Sequence, residues 1–163
     1  MKRFLLMGLG LMLLFALCFA EQADYVGAKK CRSCHSGVKN KNVYEKWEKA
    51  VHAKAFETLK AKGEEKNPKC LGCHVTGFNE GGYKLGAANA ADFEGVQCES
   101  CHGPGSLYKS VSHMKDESEA VEQGLMIPID ALCTTCHNQN SPHFKGFNYD
   151  EYVKRITHTY RGI

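Results

Sequence analysis

Four short motifs of one form contain the residues of this sequence that are best suited to chemistry. In each, two cysteines are separated by two residues, and a histidine follows the second cysteine directly. The motifs comprise Cys31, Cys34 and His35; Cys70, Cys73 and His74; Cys98, Cys101 and His102; and Cys133, Cys136 and His137. This pattern is the attachment signature of c-type haem, in which both thiols bond to the porphyrin and the histidine ligates the iron. The sequence therefore predicts four covalently bound c-type haems.

Other uses of paired cysteines fit the pattern less well. A zinc site built from two cysteine pairs needs no histidine after every pair. A thioredoxin-like redox site needs one pair beside a βαβ pattern, and a disulfide scaffold needs no histidines. Zinc, thiol redox chemistry and structural disulfides remain as alternatives, but haem attachment explains all eight motif cysteines.

Histidine is also the expected second axial ligand of the four irons. Four histidines lie outside the motifs, namely His52, His113, His143 and His158. Methionine is the usual competitor for this position, and only Met114 and Met126 follow residue 20. Because a histidine ligand does not raise the potential as a methionine thioether does, we expect low reduction potentials.

The elements that must position these ligands are mainly helical. Apolar residues recur at helical spacing over residues 43–62, which predicts one helix that includes His52. A second helix is predicted over residues 149–160, with Asn148 as its cap and His158 near its end. A polar stretch around Glu119 predicts a short solvated helix. Strands are limited to a possible short hairpin formed by residues 75–78 and 82–85.

The first twenty residues differ from the rest of the chain. Lys2 and Arg3 precede an apolar run that ends at Phe19, and a small residue, Ala20, precedes a polar segment. This organisation is typical of a secretory signal peptide, so we expect residues 1–20 to be removed and Glu21 to begin the mature protein. The alternatives are an uncleaved anchor helix and a lipoprotein attached at Cys18. Export predicts a periplasmic or extracellular location.

The remaining residues, 21–163, are expected to form one tetrahaem domain. The first cysteines of successive motifs are 39, 28 and 35 residues apart, which is too irregular for a structural repeat. The formal net charge of +3 is too small for a dedicated nucleic-acid-binding protein. No second long apolar run follows residue 20, so no stable membrane span is expected after signal cleavage.

Several longer stretches resemble one known family. They are the spacing from Trp47 to His52, the string from Cys70 to Phe78, the string Cys98-Glu-Ser-Cys101-His102-Gly-Pro-Gly105, and the tail from Phe147 to Lys154. Together they resemble the tetrahaem cytochrome c-554 family, which is known from ammonia oxidation. The resemblance implies a mostly α-helical fold, with helices and long loops wrapped around four stacked haems.

The resemblance also implies a set of distal ligands. His113 would ligate the first haem, while His52 and His158 would serve the third and fourth haems in an order left open. The second haem, on His74, would lack a protein ligand on its distal side. In the family such an open haem binds small molecules such as nitric oxide. Here His143 stands where a family member has an aromatic residue, and a ligating His143 would close this site.

Three functions are compatible with these features. The first is electron transfer between redox partner proteins outside the cytoplasm, without catalysis. The second is reduction of nitric oxide or a related nitrogen oxide at the His74 haem, for which Glu80 and His143 are the candidates for a nearby catalytic base. The third is a subunit of an extracellular haem filament, in which His143 or His158 ligates a haem of a neighbouring copy. A monomer or weak oligomer is expected for the first function. Four haems and no evident substrate-binding domain favour electron transfer.

Overall fold

The computed structural model describes residues 21–158, and the expected signal peptide lies outside this range. Within it the chain forms short helices joined by long loops. The helices are α1 (Ala28–His35), α2 (Val43–Lys49), α3 (Ala55–Lys60), α4 (Pro68–His74), α5 (Cys98–His102), α6 (Val111–Met114), α7 (Glu117–Glu122), α8 (Asp130–Cys133) and α9 (Tyr149–Ile156). Two 3₁₀ turns, Val38–Asn40 and Ala90–Phe93, complete the regular structure. The prediction of a mostly α-helical fold is confirmed.

Three of the four motifs end a helix. α1 ends at His35, α4 at His74 and α5 at His102, so both cysteines of each motif lie on its last turns. Residues three apart on a helix share one face, which places the two thiols of a motif side by side. The fourth motif differs because α8 ends at Cys133, and His137 follows in a turn.

The helix predicted over residues 43–62 is wrong as one continuous element. α2 ends at Lys49, α3 begins at Ala55, and His52 lies in the turn between them. Tertiary contacts explain the interruption. The carbonyl of His52 accepts a hydrogen bond from the Val96 amide at 2.9 Å, and the Trp47 indole donates to the Val96 carbonyl at 2.9 Å. The distant segment around Val96 therefore holds the turn that carries His52.

The C-terminal helix is shorter than predicted. Asn148 caps α9 by accepting from the Glu151 amide, which confirms the predicted cap. However, α9 ends at Ile156, so His158 lies just beyond the helix. α7 confirms the predicted short polar helix. No paired strands form within residues 21–158, and the expected hairpin is replaced by a tight turn and an isolated bridge between Val75 and Glu94.

The apolar core lies where α3 packs against α4. Its buried members are Phe56, Leu59, Leu71, Val75, Tyr83 and Phe93. Leu71 is fully buried and lies between the two cysteines of the second motif, so this motif is anchored in the core. Within residues 21–158 no helix combines the length and apolar character needed to cross a membrane.

Candidate haem-binding site

The eight motif cysteines are free thiols, and none is fully buried. Cys31 and Cys98 lie close together, since a hydrogen bond with Cys98 lowers the pKa of Cys31 and the same contact raises that of Cys98. Cys73 and Cys136 form a second such pair. Burial, followed by the hydrogen bond with Cys136, raises the pKa of Cys73 to about 11. The fold therefore brings the first motif beside the third, and the second beside the fourth.

Two histidines outside the motifs lie opposite motif histidines. The ring centroids of His52 and His137 are 6.0 Å apart, and those of His102 and His158 are 6.1 Å apart. A metal–imidazole bond is about 2 Å long, so two rings that ligate one metal from opposite sides have centroids separated by about 6 Å. Both pairs therefore fit an iron whose two axial ligands are histidines.

Hydrogen bonds orient several of these imidazoles. Nδ1 of His74 donates to the Ala55 carbonyl at 2.7 Å, and Nδ1 of His102 donates to the Met126 carbonyl at 3.0 Å. Nδ1 of His158 interacts likewise with the Ile156 carbonyl at 3.0 Å. Such bonds fix the tautomer and leave Nε2 free for a metal.

Burial disfavours the charged form of three of the paired imidazoles, those of His52, His102 and His137. Burial lowers the pKa of His52, and the neighbouring His137 lowers it further. Burial likewise lowers the pKa of His102, and the neighbouring His158 adds to this effect. Burial also lowers the pKa of His137. Neutral imidazole is the form that ligates a metal, so the environment favours ligation over protonation.

The geometry of these donors suits haem better than a bare metal ion. Within the described residues, no group of three or more His, Cys, Asp or Glu side chains converges on a point that could hold a metal. A haem iron receives four ligands from the porphyrin and needs only two from the protein. Opposed pairs of imidazoles beside paired cysteines therefore fit haem. The zinc alternative would need a cluster of at least three donor side chains, and the described residues form none.

His113 and His35 have different surroundings. His113 is positioned by α6, and its Nδ1 bonds a carboxylate oxygen of Glu119 at 2.7 Å. Burial lowers the pKa of His35, and the nearby His102 and His158 lower it further. The first and third motifs therefore lie close together at their histidines as well as at their cysteines.

The second motif borders an open cavity of about 470 Å³. His74, Cys70 and Cys73 line one part of it, and His143 lines another. Nε2 of His143 lies 3.2 Å from the Lys62 ammonium group. His143 thus reaches the cavity wall, but its Nε2 already has a hydrogen-bond partner.

Glu99 is a structural residue that the sequence analysis did not single out. Its carboxylate is almost fully buried and accepts backbone N–H bonds from Val26 at 2.9 Å, Gly27 at 2.7 Å and Gly105 at 2.7 Å. These bonds fasten the segment that leads into the first motif onto the helix of the third. No periodicity marks this residue, because its burial depends on a contact 72 residues away along the chain.

Comparison with known proteins supports the haem interpretation. The family model for cytochrome c554 and c-prime matches residues 30–103. Cytochrome c-554 of Nitrosomonas europaea is 30% identical in an alignment that covers 84% of this chain and 75% of that protein.

The fold is also shared with a solved structure. Reduced cytochrome c554 of Nitrosomonas europaea superposes with a TM-score of 0.66 at 28% identity, covering 83% of this chain and 84% of the other. The predicted cofactors, four c-type haems, are thereby confirmed, and with them electron transfer through several haems as the general activity. By its sequence, its fold and its four attachment motifs, the chain belongs to the cytochrome c-554 family.

Proposed function

We propose that this protein carries electrons between redox partner proteins outside the cytoplasm and does not itself transform a substrate. The observation that carries the proposal is the pairing of His52 with His137 and of His102 with His158 at about 6 Å. A haem iron with two protein ligands has no site left for a substrate, while its charge still changes between ferric and ferrous.

The pairings support one order of the distal ligands, which the resemblance leaves open, and we propose that order here. His158 is the distal ligand of the third haem, opposite His102, and His52 is that of the fourth, opposite His137. His113 is the proposed distal ligand of the first haem. Its hydrogen bond to Glu119 increases the electron density on the imidazole, which makes it a better iron ligand.

The contacts between motifs suggest the route of the electrons. Cys31 lies beside Cys98, and Cys73 beside Cys136. Cys101 is near Cys133 and Cys136, which contribute, after burial, to its raised pKa. Haems attached at these positions would lie next to one another in the order first, third, fourth and second. Electrons can then enter at one end of the series and leave at the other.

Electron paramagnetic resonance of the oxidised, haem-loaded protein tests the ligand assignment. His52→Ala and His158→Ala should each convert one low-spin haem to high spin, because each removes one axial ligand. A potentiometric titration should give low midpoints for the bis-histidine haems. Four high midpoints, or variants that leave all low-spin signals unchanged, would contradict the proposal.

We further propose that residues 1–20 direct export and are removed. The apolar run that ends at Phe19 and the small residue Ala20 support cleavage before Glu21. N-terminal sequencing of the exported holoprotein should begin at Glu21. A mature chain that still begins at the initiator methionine would contradict this.

A further inference from the structure

Glu99 carries the most deeply buried charge of the described chain. Only 1% of its surface is exposed, and no other charged side chain within residues 21–158 is buried to this degree. Its Oε1 accepts hydrogen bonds from the Val26 and Gly105 amides, and its Oε2 accepts one from the Gly27 amide. All three of these partners are donors, which matches an ionised carboxylate, because that group can only accept. The fold therefore holds a negative charge away from water.

This charge lies between the first and third motifs. Glu99 belongs to α5 and precedes His102 by three residues, and side chains at this spacing are neighbours on a helix. Gly27, whose amide donates to Glu99 at 2.7 Å, directly precedes α1, the helix that contains Cys31 and His35. One carboxylate therefore lies one helical turn from the proximal histidine of the third haem and at the start of the helix that holds the first.

The field of Glu99 reaches the thiols to which these two haems bond. The hydrogen bond with Cys31 and burial raise the pKa of Cys98, and the charge of Glu99 raises it further. At Cys31 the hydrogen bond with Cys98 lowers the pKa, whereas the charge of Glu99 acts in the opposite direction. Glu99 thus disfavours added negative charge at both thiols. Reduction of a ferric iron also adds negative charge, so the carboxylate opposes it in the same way.

The fourth motif has an acidic neighbour of a different kind. Asp130 begins α8, and after burial it contributes to the raised pKa of Cys133. However, Asp130 is exposed, whereas Glu99 is shielded from solvent. Water and salt screen an exposed charge strongly, and a buried charge keeps most of its effect. The two carboxylates therefore allow the same chemical change to be compared in two environments.

We propose that the Glu99 carboxylate lowers the reduction potentials of the first and third haems by stabilising the ferric form of each relative to the ferrous form. The inference rests on the proposed four-haem carrier, in which the first and third haems are neighbours, and it gives Glu99 a part in electron transfer beyond its structural one. In a partly reduced protein this charge shifts electrons toward the second and fourth haems. Glu99 therefore tunes potentials and is not a ligand of either iron.

Potentiometric titration of the full-length holoprotein, followed by paramagnetic resonance, tests the role of Glu99. His113→Ala and His158→Ala identify the signals of the first and third haems, because each removes a proposed distal ligand. In Glu99→Gln the ratio of ferric to ferrous third haem at a fixed potential should fall by about tenfold, which corresponds to a midpoint about 59 mV higher. The first haem should shift in the same direction. The fourth haem, identified by His52→Ala, should shift less.

Two further variants separate the charge from the hydrogen bonds. Glu99→Asp keeps the charge but shortens the side chain, so it should lower stability and leave the midpoints of the first and third haems near those of the unmodified protein. Asp130→Asn is the matched control at the fourth motif. It should shift no midpoint appreciably, because the charge that it removes is screened by water. The sign of a shift is also informative, since loosened packing that admits water stabilises the more highly charged ferric form and lowers a midpoint.

Two outcomes would overturn the inference. If the midpoints of the first and third haems do not rise in Glu99→Gln, the charge of Glu99 does not act on the irons. A clear rise of these midpoints in Glu99→Asp, which keeps the charge, would assign the effect to packing, and this test stands even if Glu99→Gln does not fold. Haem content and reversible reduction, measured on the same samples, report on the carrier itself. Four reversibly reduced haems with midpoints that are insensitive to Glu99→Gln would leave the carrier function intact and remove only the role of Glu99.

Discussion

The segments around the third and fourth motifs have the same chemical signature but very different surroundings. From Phe93 to Gly105 most alternate residues are buried, and the third motif lies among them. From residue 121 to residue 158 no residue is buried, although this segment contains the fourth motif and α9. Protein atoms therefore position the third motif, whereas we expect the fourth motif to rely more on its haem for packing.

Buried hydrogen bonds account for much of this difference. Thr76 is fully buried, and its hydroxyl donates to the Gly95 carbonyl at 2.9 Å and accepts from the Gln97 amide at 2.9 Å. Gln97 in turn accepts from the Ala28 amide at 2.7 Å. The third motif thereby connects the segments that bear the first and second motifs. Residues 30–103, which the family model matches, coincide with this connected region.

The largest expected effect is that of removing the Glu99 carboxylate. Glu99→Ala would leave two buried N–H groups and one partly buried N–H group without an acceptor, which should cost about 3–5 kcal/mol of unfolding free energy. Glu99→Gln should cost less, because its amide oxygen still accepts. Denaturant unfolding of the holoprotein measures both.

Glu94→Ala serves as the control for Glu99. Its salt bridge with Lys60 is partly exposed, so its loss should cost less than about 1 kcal/mol. Equal destabilisation by Glu99→Ala and Glu94→Ala would mean that the buried carboxylate does not hold the first motif to the third.

Gly95 links the buried region to the turn that carries His52, the proposed distal ligand of the fourth haem. It has a φ of +83°, and a Cβ there would lie 2.4 Å from the Ala53 carbonyl oxygen, in the turn that carries His52. Gly95→Ala should cost more than about 2 kcal/mol, since neither backbone segment can move freely. It should also displace His52 and reduce the low-spin signal of the fourth haem.

Gly86→Ala is the control, because it measures the cost of backbone strain without the steric clash expected at Gly95. Gly86 has a similar φ of +79°, but no atom lies within 4 Å of its added Cβ. Its substitution should cost about 1 kcal/mol and leave the resonance spectrum unchanged. If both variants have the same spectrum, the segment around Gly95 does not position His52.

The contrast between Gly95 and Gly86 shows how far the sequence predicts the structure. The cofactor, its cysteines and its proximal histidines follow from local spacing alone, because haem attachment requires that spacing. The break in the helix predicted over residues 43–62 depends on Gly95 and Val96, which are distant in the chain. The burial of Glu99 and the contact between Lys62 and His143 likewise arise from long-range packing. Periodicity contains no information about such contacts.

A smaller effect is expected for Tyr108, within the buried region. Its hydroxyl donates to the Gly103 carbonyl at 2.8 Å, and burial raises the pKa of Tyr108 well above 10. The unfolded chain therefore loses the Tyr108 hydroxyl proton at a lower pH than the folded chain does. Above pH 10 this group should lower the free energy of unfolding by up to about 1.4 kcal/mol per pH unit. Tyr108→Phe should cost about 1 kcal/mol at pH 7 but reduce this alkaline loss.

Unfolding measured at pH 8 and pH 11 tests this prediction. Tyr152→Phe is the control from the exposed region, because Tyr152 is on the surface of α9. It should alter neither the neutral stability nor the alkaline loss appreciably. An alkaline loss that is the same in Tyr108→Phe as in the unmodified protein would contradict the assignment to Tyr108.

The smallest change in stability is expected at Phe147, beside the fourth motif. Its ring stacks on His137, with centroids 4.8 Å apart and planes inclined by 17°. Within residues 21–158 no hydrogen bond to the His137 ring is found, whereas His74 and His102 each bond a backbone carbonyl. Stacking on Phe147 therefore orients the His137 imidazole in place of a hydrogen bond. Phe147→Leu should cost about 0.5–1.5 kcal/mol.

The paramagnetic resonance spectrum is the more sensitive measurement for Phe147. Rotation of the His137 ring changes the angle between the two axial imidazole planes, so the g values of one low-spin haem should shift. Phe78→Leu is the control, since Phe78 packs near Tyr83 in the apolar core and not against a haem ligand. It should lower stability without a spectral shift. An unchanged spectrum in Phe147→Leu would mean that the haem itself orients His137, which would make the fourth motif still more dependent on its cofactor.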